Sequence, residues 1–495
     1  MADVLKPESV ALLSPDACDT EDEDLHIGGV EMTTSDFSQF SDTSSIGDTR
    51  QLVEEKDDGR PRSGMYVTSF NFINSIIGSG VIGVPFALRQ AGFGLGILLI
   101  IGVALITDYS IFLLIEGGRL SNTHSYQDMV LVAFGRPGFY ILTVLQFLYP
   151  FIAMVSYNVI IGDTITKIAL WFSGEGDSMV HSILGNRQFI IFLSTLLVTL
   201  PLSLYRNISR LGKWALLSIL LIFFILVGIT VRLATFAKDI PATPNAWQFG
   251  NYNVTQAIAI LAFAYMCHHN TFLIYQSLDN PTPKRWHIVT HGSIMFAAIM
   301  CVILGVVGYV SFTGLTQGDL MENYCHNDTL MNIVRLAFSI TIMLTYPVEC
   351  FVTREVIENA VFPSNPPTPF WRHMTVTLII VFLTAAVSMS TDCLGIVLEF
   401  NGVLAAAPLA YIIPSLCVMR LRQEALFSRG NIGPILTATF GILVAIVGSI
   451  LAIINAASGE GCSHGREMPY CLAKNNQSVF MNGSFSTTTM TSPIV

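Results

Sequence analysis

The sequence predicts an all-α membrane protein of eleven transmembrane helices, built as two five-helix repeats of opposite orientation (a 5+5 inverted repeat) plus one extra helix. Three observations carry that prediction. Of 495 residues, 52 % are hydrophobic and 12 % charged, with mean hydropathy +0.59, so the chain has about half the charge of an ordinary water-soluble domain. From Tyr66 onward, apolar runs of about 20 residues, long enough to cross a bilayer, alternate with short polar segments. The spacing of these runs nearly repeats after five.

Charge divides the chain at residue 62. Residues 1–62 hold 16 of the 35 Asp and Glu but five of the 25 Lys and Arg, and they show no sustained apolar periodicity, so they read as a disordered acidic cytosolic tail. The remainder is close to neutral, which leaves no basic face and excludes a nucleic-acid partner. No leader of the secretory type opens the sequence. Glu8, Leu12 and Leu13 match an acidic dileucine signal for an endosomal sorting adaptor, a pattern that acidic tails also produce by chance. Residues 63–455 form the membrane domain, embedded in lipid, and 456–495 an extracellular or luminal tail.

In chain order the spans fall near 66–90, 94–116, 139–165, 188–205, 211–235, 253–277, 287–312, 329–353, 373–391, 394–419 and 432–455. Solid apolar runs of this kind argue against a spanning β-barrel, whose strands alternate over about ten residues. With the N-terminus in the cytosol, twelve Lys and Arg lie in the inner loops against seven outside, and the positive-inside rule selects that topology. The glycosylation acceptors Asn327, Asn476 and Asn482 then lie outside, with Asn253 outside but close to the bilayer, while Asn207 is cytosolic and silent. Cys325, Cys462 and Cys471 face the oxidising side. Three is odd, so at most one pair with a leftover is expected, and the spacing does not choose it.

The midpoints of spans one to five recur in spans six to ten after about 184–195 residues. An odd repeat length inverts the second set, the arrangement of secondary transporters whose site is built from two broken helices. Both interruptions are visible. Span one runs Asn71-Phe72-Ile73-Asn74-Ser75-Ile76-Ile77-Gly78-Ser79-Gly80-Val81-Ile82-Gly83-Val84-Pro85, where three glycines weaken the helix. Span six carries Tyr265-Met266-Cys267-His268-His269-Asn270-Thr271, a polar cluster within apolar sequence. Alone, the glycines would equally suit a helix-packing face.

Intramembrane ionisable groups are functional candidates by default. Asp108, Glu349 and Glu399 qualify, whereas Asp163 and Glu116 sit near span ends and are expected to be solvated. His268 and His269 point about 100° apart on a helix, so they cannot share one metal unless it unwinds; one of the two lines the cavity, and His268, His269, Glu349 and Glu399 offer proton or pH sensing, the alternative for the histidines being helix-to-helix hydrogen bonds. Thr341, Thr345 and Glu349 share one helix face at four-residue spacing, an oxygen ladder for a hard cation such as Na⁺, or threonines bonded back to their own carbonyls.

With these residues in view the chain resembles the sodium-coupled neutral amino acid transporters of solute carrier family 38, in the amino acid and auxin permease group, from about Ser63 to Asn455. Asn71 to Pro85, Cys267-His268 with Ile274-Tyr275, Val334-Arg335-Leu336-Ala337 and Thr345-Tyr346-Pro347 carry the resemblance; His268-His269-Asn270, Asn280-Pro281-Thr282 and Glu399 to Val403 resemble one member in particular. It implies a LeuT-like fold and a Na⁺ site at Asn74, backbone oxygen near Ile77, and a threonine of span eight, Thr341 or Thr345. The sequence departs from the family in Met343 where a threonine is usual, in Phe272-Leu273 where Leu-Pro is usual, and in Ser277 in place of a glutamate.

The expectation is a secondary transporter carrying a small neutral amino acid toward the cytosol with Na⁺, or H⁺, as coupling ion and no other cofactor, in the plasma or an endosomal or lysosomal membrane. The substrate carboxylate meets backbone N–H groups of Gly78, Ser79 and Gly80 at a positive half-helix end, and Asn71, Tyr265, Cys267, His268 and Asn270 complete the pocket. A rival reading is a transporter-like sensor reporting through the acidic tail. An enzyme would need clustered nucleophile, base or metal ligands, and no such spacing appears beyond the adjacent histidines.

Overall fold

The computed structural model describes residues 63–173, 179–205, 215–236, 238, 240–362, 369–458 and 468–471. The acidic tail with Glu8, Leu12 and Leu13, as well as Asn207, Cys462, Asn476 and Asn482, lies outside the described residues.

The first apolar run becomes two helices, α1 (Met65–Ile76) and α2 (Gly80–Ala91), whose axes bend by 53° at the residues between them. Gly92, at φ 89°, turns the chain directly into α3 (Phe93–Ser121); any side chain there would also strike the backbone of Gly250. Next come α4 (Tyr126–Ser173), the short α5 (Met179–Leu184), a fourth segment made of α6 (Arg187–Ser194), a π-helical turn (Thr195–Thr199) and α7 (Leu200–Ser203), and α8 (Ala215–Phe236). The second set repeats this order with α9 (Val254–Ala264) and α10 (His268–Ser277), α11 (Pro283–Phe312), α12 (Thr329–Val361), α13 (Phe370–Met389), and α14 (Leu394–Asn401) continued through two π-helical turns into α15 (Ile413–Arg422). The extra helix is α16 (Ile432–Ser458).

Among the described residues, nine helical segments are long and apolar enough to span a membrane, and the bent α1–α2 pair makes a tenth. Arg187–Ser203, apolar but shorter, stands where the fourth span was expected, so the order of elements is that of the predicted eleven. The third span starts earlier than expected. Gly135 interrupts α4 at φ 66°, and Pro137 falls in the first turn of the continuing helix, where its missing N–H costs nothing.

Caps set several boundaries. Thr282, Asp328 and Asn186 each accept a backbone N–H three residues on, from Arg285, Met331 and Phe189. Burial sorts the helices. In the span formed by α9 and α10, 89 % of the apolar window is buried, against 33 % for α13 and for α16, so the second broken span is central and those two are peripheral. On α3, Leu98, Ile101 and Leu105 face outward while Ile100, Val103 and Ala104 are buried, one apolar face toward the core and another where lipid would lie.

Charged groups gather at the helix ends. The segment 316–328 between α11 and α12 is largely buried and held by cations from three elements: Arg89 donates to Thr316 O (2.8 Å), Lys167 to Glu322 O (3.1 Å), and Arg335 to the carbonyls of Met321, Cys325 and Tyr324. Cys325 pairs with Cys471, which fastens Met468–Cys471 to this segment. Cys393 is disulfide-bonded as well, so the expectation of one pair drawn from three cysteines omitted a residue that the turn between α13 and α14 makes available. Asp163 corrects another expectation. Instead of being solvated it is buried and paired with Arg187, because α6 packs its first turn against α4.

Candidate functional site

The first break begins where Ile77 leaves helical geometry at φ −85°, ψ 85°. Its N–H still reaches Ile73 O at 2.8 Å, but Gly78 N–H turns to Ile76 O and the ladder resumes only with Val81 bonded to Gly78 O at 3.4 Å. Of the three glycines, only Gly78 lies in the break; Gly80 and Gly83 belong to α2, where they permit close packing. The break faces α4. Ser156 Oγ donates to Ala153 O (2.7 Å) and accepts from Ser79 Oγ at 2.9 Å, while a Cβ on Gly78 would lie 3.2 Å from the Tyr157 hydroxyl.

The second break spans Tyr265 to Cys267, with Tyr265 at φ −97°, ψ 6° and Cys267 at φ −140°, ψ 1°. It falls at the polar cluster, and the two breaks touch: a Cβ on Gly80 would stand 2.6 Å from Ala264 Cα. Asn270 Nδ2 donates to Ser75 Oγ at 3.0 Å and lies 2.9 Å from His269 Nε2, so a side chain of the second broken span reaches the first.

The two histidines part as their spacing requires. His269 Nε2 is 3.3 Å from Glu349 Oε2 on α12, and its ring lies 4.8 Å from that of Tyr149 on α4. His268 is fully buried, and neither ring nitrogen has a protein partner; the same holds for His269 Nδ1, Asn270 Oδ1 and Asn74 Oδ1. Such atoms cost free energy in a dry interior and suit a place where a polar ligand or water enters.

On α12 the threonines take the less specific of the two readings. Thr341 Oγ1 donates to Ala337 O at 3.0 Å and Thr345 Oγ1 to Thr341 O at 2.9 Å, which spends the proton and leaves oxygen lone pairs as acceptors. Thr341, Ile77 and Gly78 line one otherwise apolar cavity, together with Val81, Met300 and Phe338. Two residues of the expected ion site, Ile77 and Thr341, therefore meet there, and Asn74 and Thr345 are each within about one turn of it along their helices.

Other candidates lie elsewhere. Glu399 accepts from Gln256 (2.6 Å) and from Asn455 on α16 (3.0 Å). Gln256 precedes Tyr265 by nine residues, about 13 Å along a helix, so Glu399 does not join the His269–Glu349 pair. Asp108 pairs with His291 on α11 at 2.5 Å. Asn71 is half-buried six residues before the break, and Cys267 is buried with a free thiol. Asn327 is exposed, while Asn253 spends its amide N–H on Gln90.

The sequence reading passed over Ser75 and the α4 groups Tyr149, Ser156 and Tyr157. The signal was present, since Ser156-Tyr157-Asn158 is a polar trio inside an apolar run, the same logic that singled out span six.

The transmembrane amino acid transporter protein family matches residues 61–454. The chain is 49 % identical to a Danio rerio protein, "Putative sodium-coupled neutral amino acid transporter 11", over 428 residues, 86 % of this chain and 94 % of that one. The Homo sapiens protein of the same description is 47 % identical over 78 % of this chain and 94 % of its own length. A "Vacuolar amino acid transporter 2" of Saccharomyces cerevisiae is 29 % identical over 85 % and 90 %. Among solved structures, a mutant of the Eremococcus coleocola manganese transporter superposes with TM-score 0.52 at 12 % identity, covering 84 % of this chain and 90 % of that one. MhsT in complex with L-phenylalanine superposes with TM-score 0.51 at 14 % identity, covering 78 % and 100 %. At such identities the likeness is one of fold, and the fold is LeuT-like. The chain is thus a multi-pass membrane transporter, not an enzyme, and it belongs to the transmembrane amino acid transporter family and, within it, to solute carrier family 38.

Proposed function

We propose that the protein carries a small neutral amino acid toward the cytosol by Na⁺ symport, with the coupling ion held between the first break and α12. The supporting observation is that Ile77 and Gly78 of the first break share one cavity with Thr341 of α12, while nearby along the two broken spans buried polar atoms of Asn74, His268 and Asn270 lack protein partners. A hard cation takes several oxygen ligands, which Asn74 Oδ1, the Ile77 carbonyl and the hydroxyl lone pairs of Thr341 or Thr345 can supply. With the ion bound, α1 is pinned to α12. The substrate carboxylate then meets the N–H groups of Ser79 and Gly80 at the start of α2, joined by that of Gly78 once it leaves Ile76 O, and the ammonium turns to carbonyls of Tyr265 to Cys267. Tyr265, Cys267, His268 and Asn270 bound the side-chain space.

Proton coupling is the second reading, favoured by one contact, the buried His269–Glu349 pair at 3.3 Å. In this reading residues 1–62 are a solvated cytosolic tail whose Glu8, Leu12 and Leu13 engage a sorting adaptor, 63–455 the transport domain, and Asn327, Asn476 and Asn482 the glycosylated outer positions.

The test is radiolabelled glutamine uptake into cells carrying the chain at the surface, with Na⁺ replaced by choline at two external pH values. Uptake lost without Na⁺, and Na⁺ dependence lost in Asn74→Ala, are the expected results. Uptake that ignores Na⁺ and follows pH transfers the coupling to His269 and Glu349. Amino acid binding without flux, with signalling abolished by deletion of 1–62, would favour the sensor.

A further inference from the structure

We propose that Ser63 is a phosphorylation site whose phosphate opens a backbone latch between the two broken spans. Ser63 N–H donates to Ser277 O at 2.8 Å, and Ser63 O accepts from Asp279 N–H at 2.9 Å, a bridge that pairs it in parallel with Leu278. Its hydroxyl lies 3.0 Å from Thr68 Oγ1 and 3.3 Å from Ser277 O. The end of α1 away from the break is thereby fastened to the last turn of α10. Since α1 joins α2 only through Ile77 to Ser79, with a 53° bend, it can pivot there without breaking a continuous helical ladder, and the bridge restrains that pivot.

Sequence and charge both single out this hydroxyl. Arg60 and Arg62 stand three residues and one residue before it, the cationic approach that a basophilic protein kinase reads with an acidic groove. The Lys and Arg balance assigns this face to the cytosol, where ATP is present. Ser63 is half-buried, so a kinase takes it when the bridge is open. In the transfer, Ser63 Oγ attacks the γ-phosphorus of ATP, the new Oγ–P bond forms as the bond to the ADP oxygen breaks, and the hydroxyl proton passes to the kinase base.

The product cannot return to the latch. It carries about −1.5 to −2 charges and has lost the donor that faced Ser277 O. It would sit against the carbonyl end of α10, the negative end of that helix, and beside Asp279, whose own N–H forms half of the bridge. Both repel an anion, so the modified chain holds α1 free of α10. The inference does not depend on which substrate or ion is carried.

The test uses the full-length protein in lipid nanodiscs with ATP and a purified basophilic Ser/Thr kinase, read by peptide mass spectrometry and by hydrogen exchange over 63–69 and 277–281. A phosphate on Ser63, with exchange in both peptides at least tenfold faster, is the expected result. Ser63→Asp should reproduce the fast exchange, and Ser63→Ala, which keeps the backbone bridge, should exchange like the wild type and take no phosphate at that position. Lack of phosphate on Ser63, or phosphate with unchanged exchange, overturns the proposal.

Discussion

Gly80→Ala probes the fit of the two broken spans with a single methyl group. Gly80 opens α2, and a Cβ there would lie 2.6 Å from Ala264 Cα and 3.0 Å from Ala264 Cβ and Phe263 Cδ1, where ordinary contact begins at 3.4 Å. The nearest atom is backbone and cannot rotate away, so α2 and α9 must part by about 0.8 Å, and overpacking of this kind costs about 1–3 kcal/mol. In population that is about five- to 150-fold against the state in which the two halves pack. Uptake per molecule at the surface, normalised by biotinylation, should fall by at least about fivefold, and the purified protein should unfold at a lower temperature. Gly102→Ala is the control. On α3 the same methyl meets nothing within 4 Å, and alanine favours a helix by about 0.8–1.0 kcal/mol, so transport should persist and stability hold or rise. Equal behaviour of the two variants would refute the claim that Gly80 permits the close packing of α2 on α9 beside the breaks.

Three further outcomes follow from particular contacts. Glu349→Gln leaves His269 without the buried carboxylate that faces it at 3.3 Å; uptake should fall, and unaltered uptake would remove the pair from the transport site. Cys471→Ser opens a loop with sequence separation 146, worth up to about 5 kcal/mol by chain entropy, and should lower the unfolding temperature and leave Cys325 open to maleimide labelling. Burial, then the charge of Glu322, pushes the Asp319 carboxyl up to about 7, so the folded chain binds more protons than the unfolded chain above the usual carboxylate range. That contribution to stability is fully present below about pH 4 and is lost as pH rises to about 7, and Asp319→Asn should flatten the pH dependence of thermal unfolding between about pH 4 and 7.

Periodicity and polarity along the chain suffice for the order of spans and for both breaks, because a glycine-rich stretch and a polar cluster are local signals. They do not suffice for partners. That Asp163 meets Arg187 on the next span, that His269 meets Glu349, and that Cys325 meets Cys471 are facts about helix rotation and loop closure, to which composition is blind. Thr341 and Thr345 show the limit most clearly. Their spacing announces one face of α12, but whether that face points at an ion or back at its own carbonyls depends on hydroxyl rotamers, and the hydroxyls do donate to the carbonyls while Thr341 still lines the cavity.

The placement of satisfied and unsatisfied polar groups explains why a transporter can be both firm and mobile. At the helix ends, cations are spent on backbone: Arg89, Lys167 and Arg335 all hold carbonyls of the segment 316–328, which a disulfide also fastens. At the breaks the opposite holds, with Asn74 Oδ1, both nitrogens of His268 and Asn270 Oδ1 buried and unmatched. Each such atom costs about 1–3 kcal/mol while it lacks a partner. A zwitterion with a cation offers ammonium donors, carboxylate acceptors and a charge for oxygen ligands in one small volume. A ligand of that chemistry would lower the free energy of an arrangement in which both breaks present their groups together, and differential affinity of this kind is what shifts a conformational equilibrium.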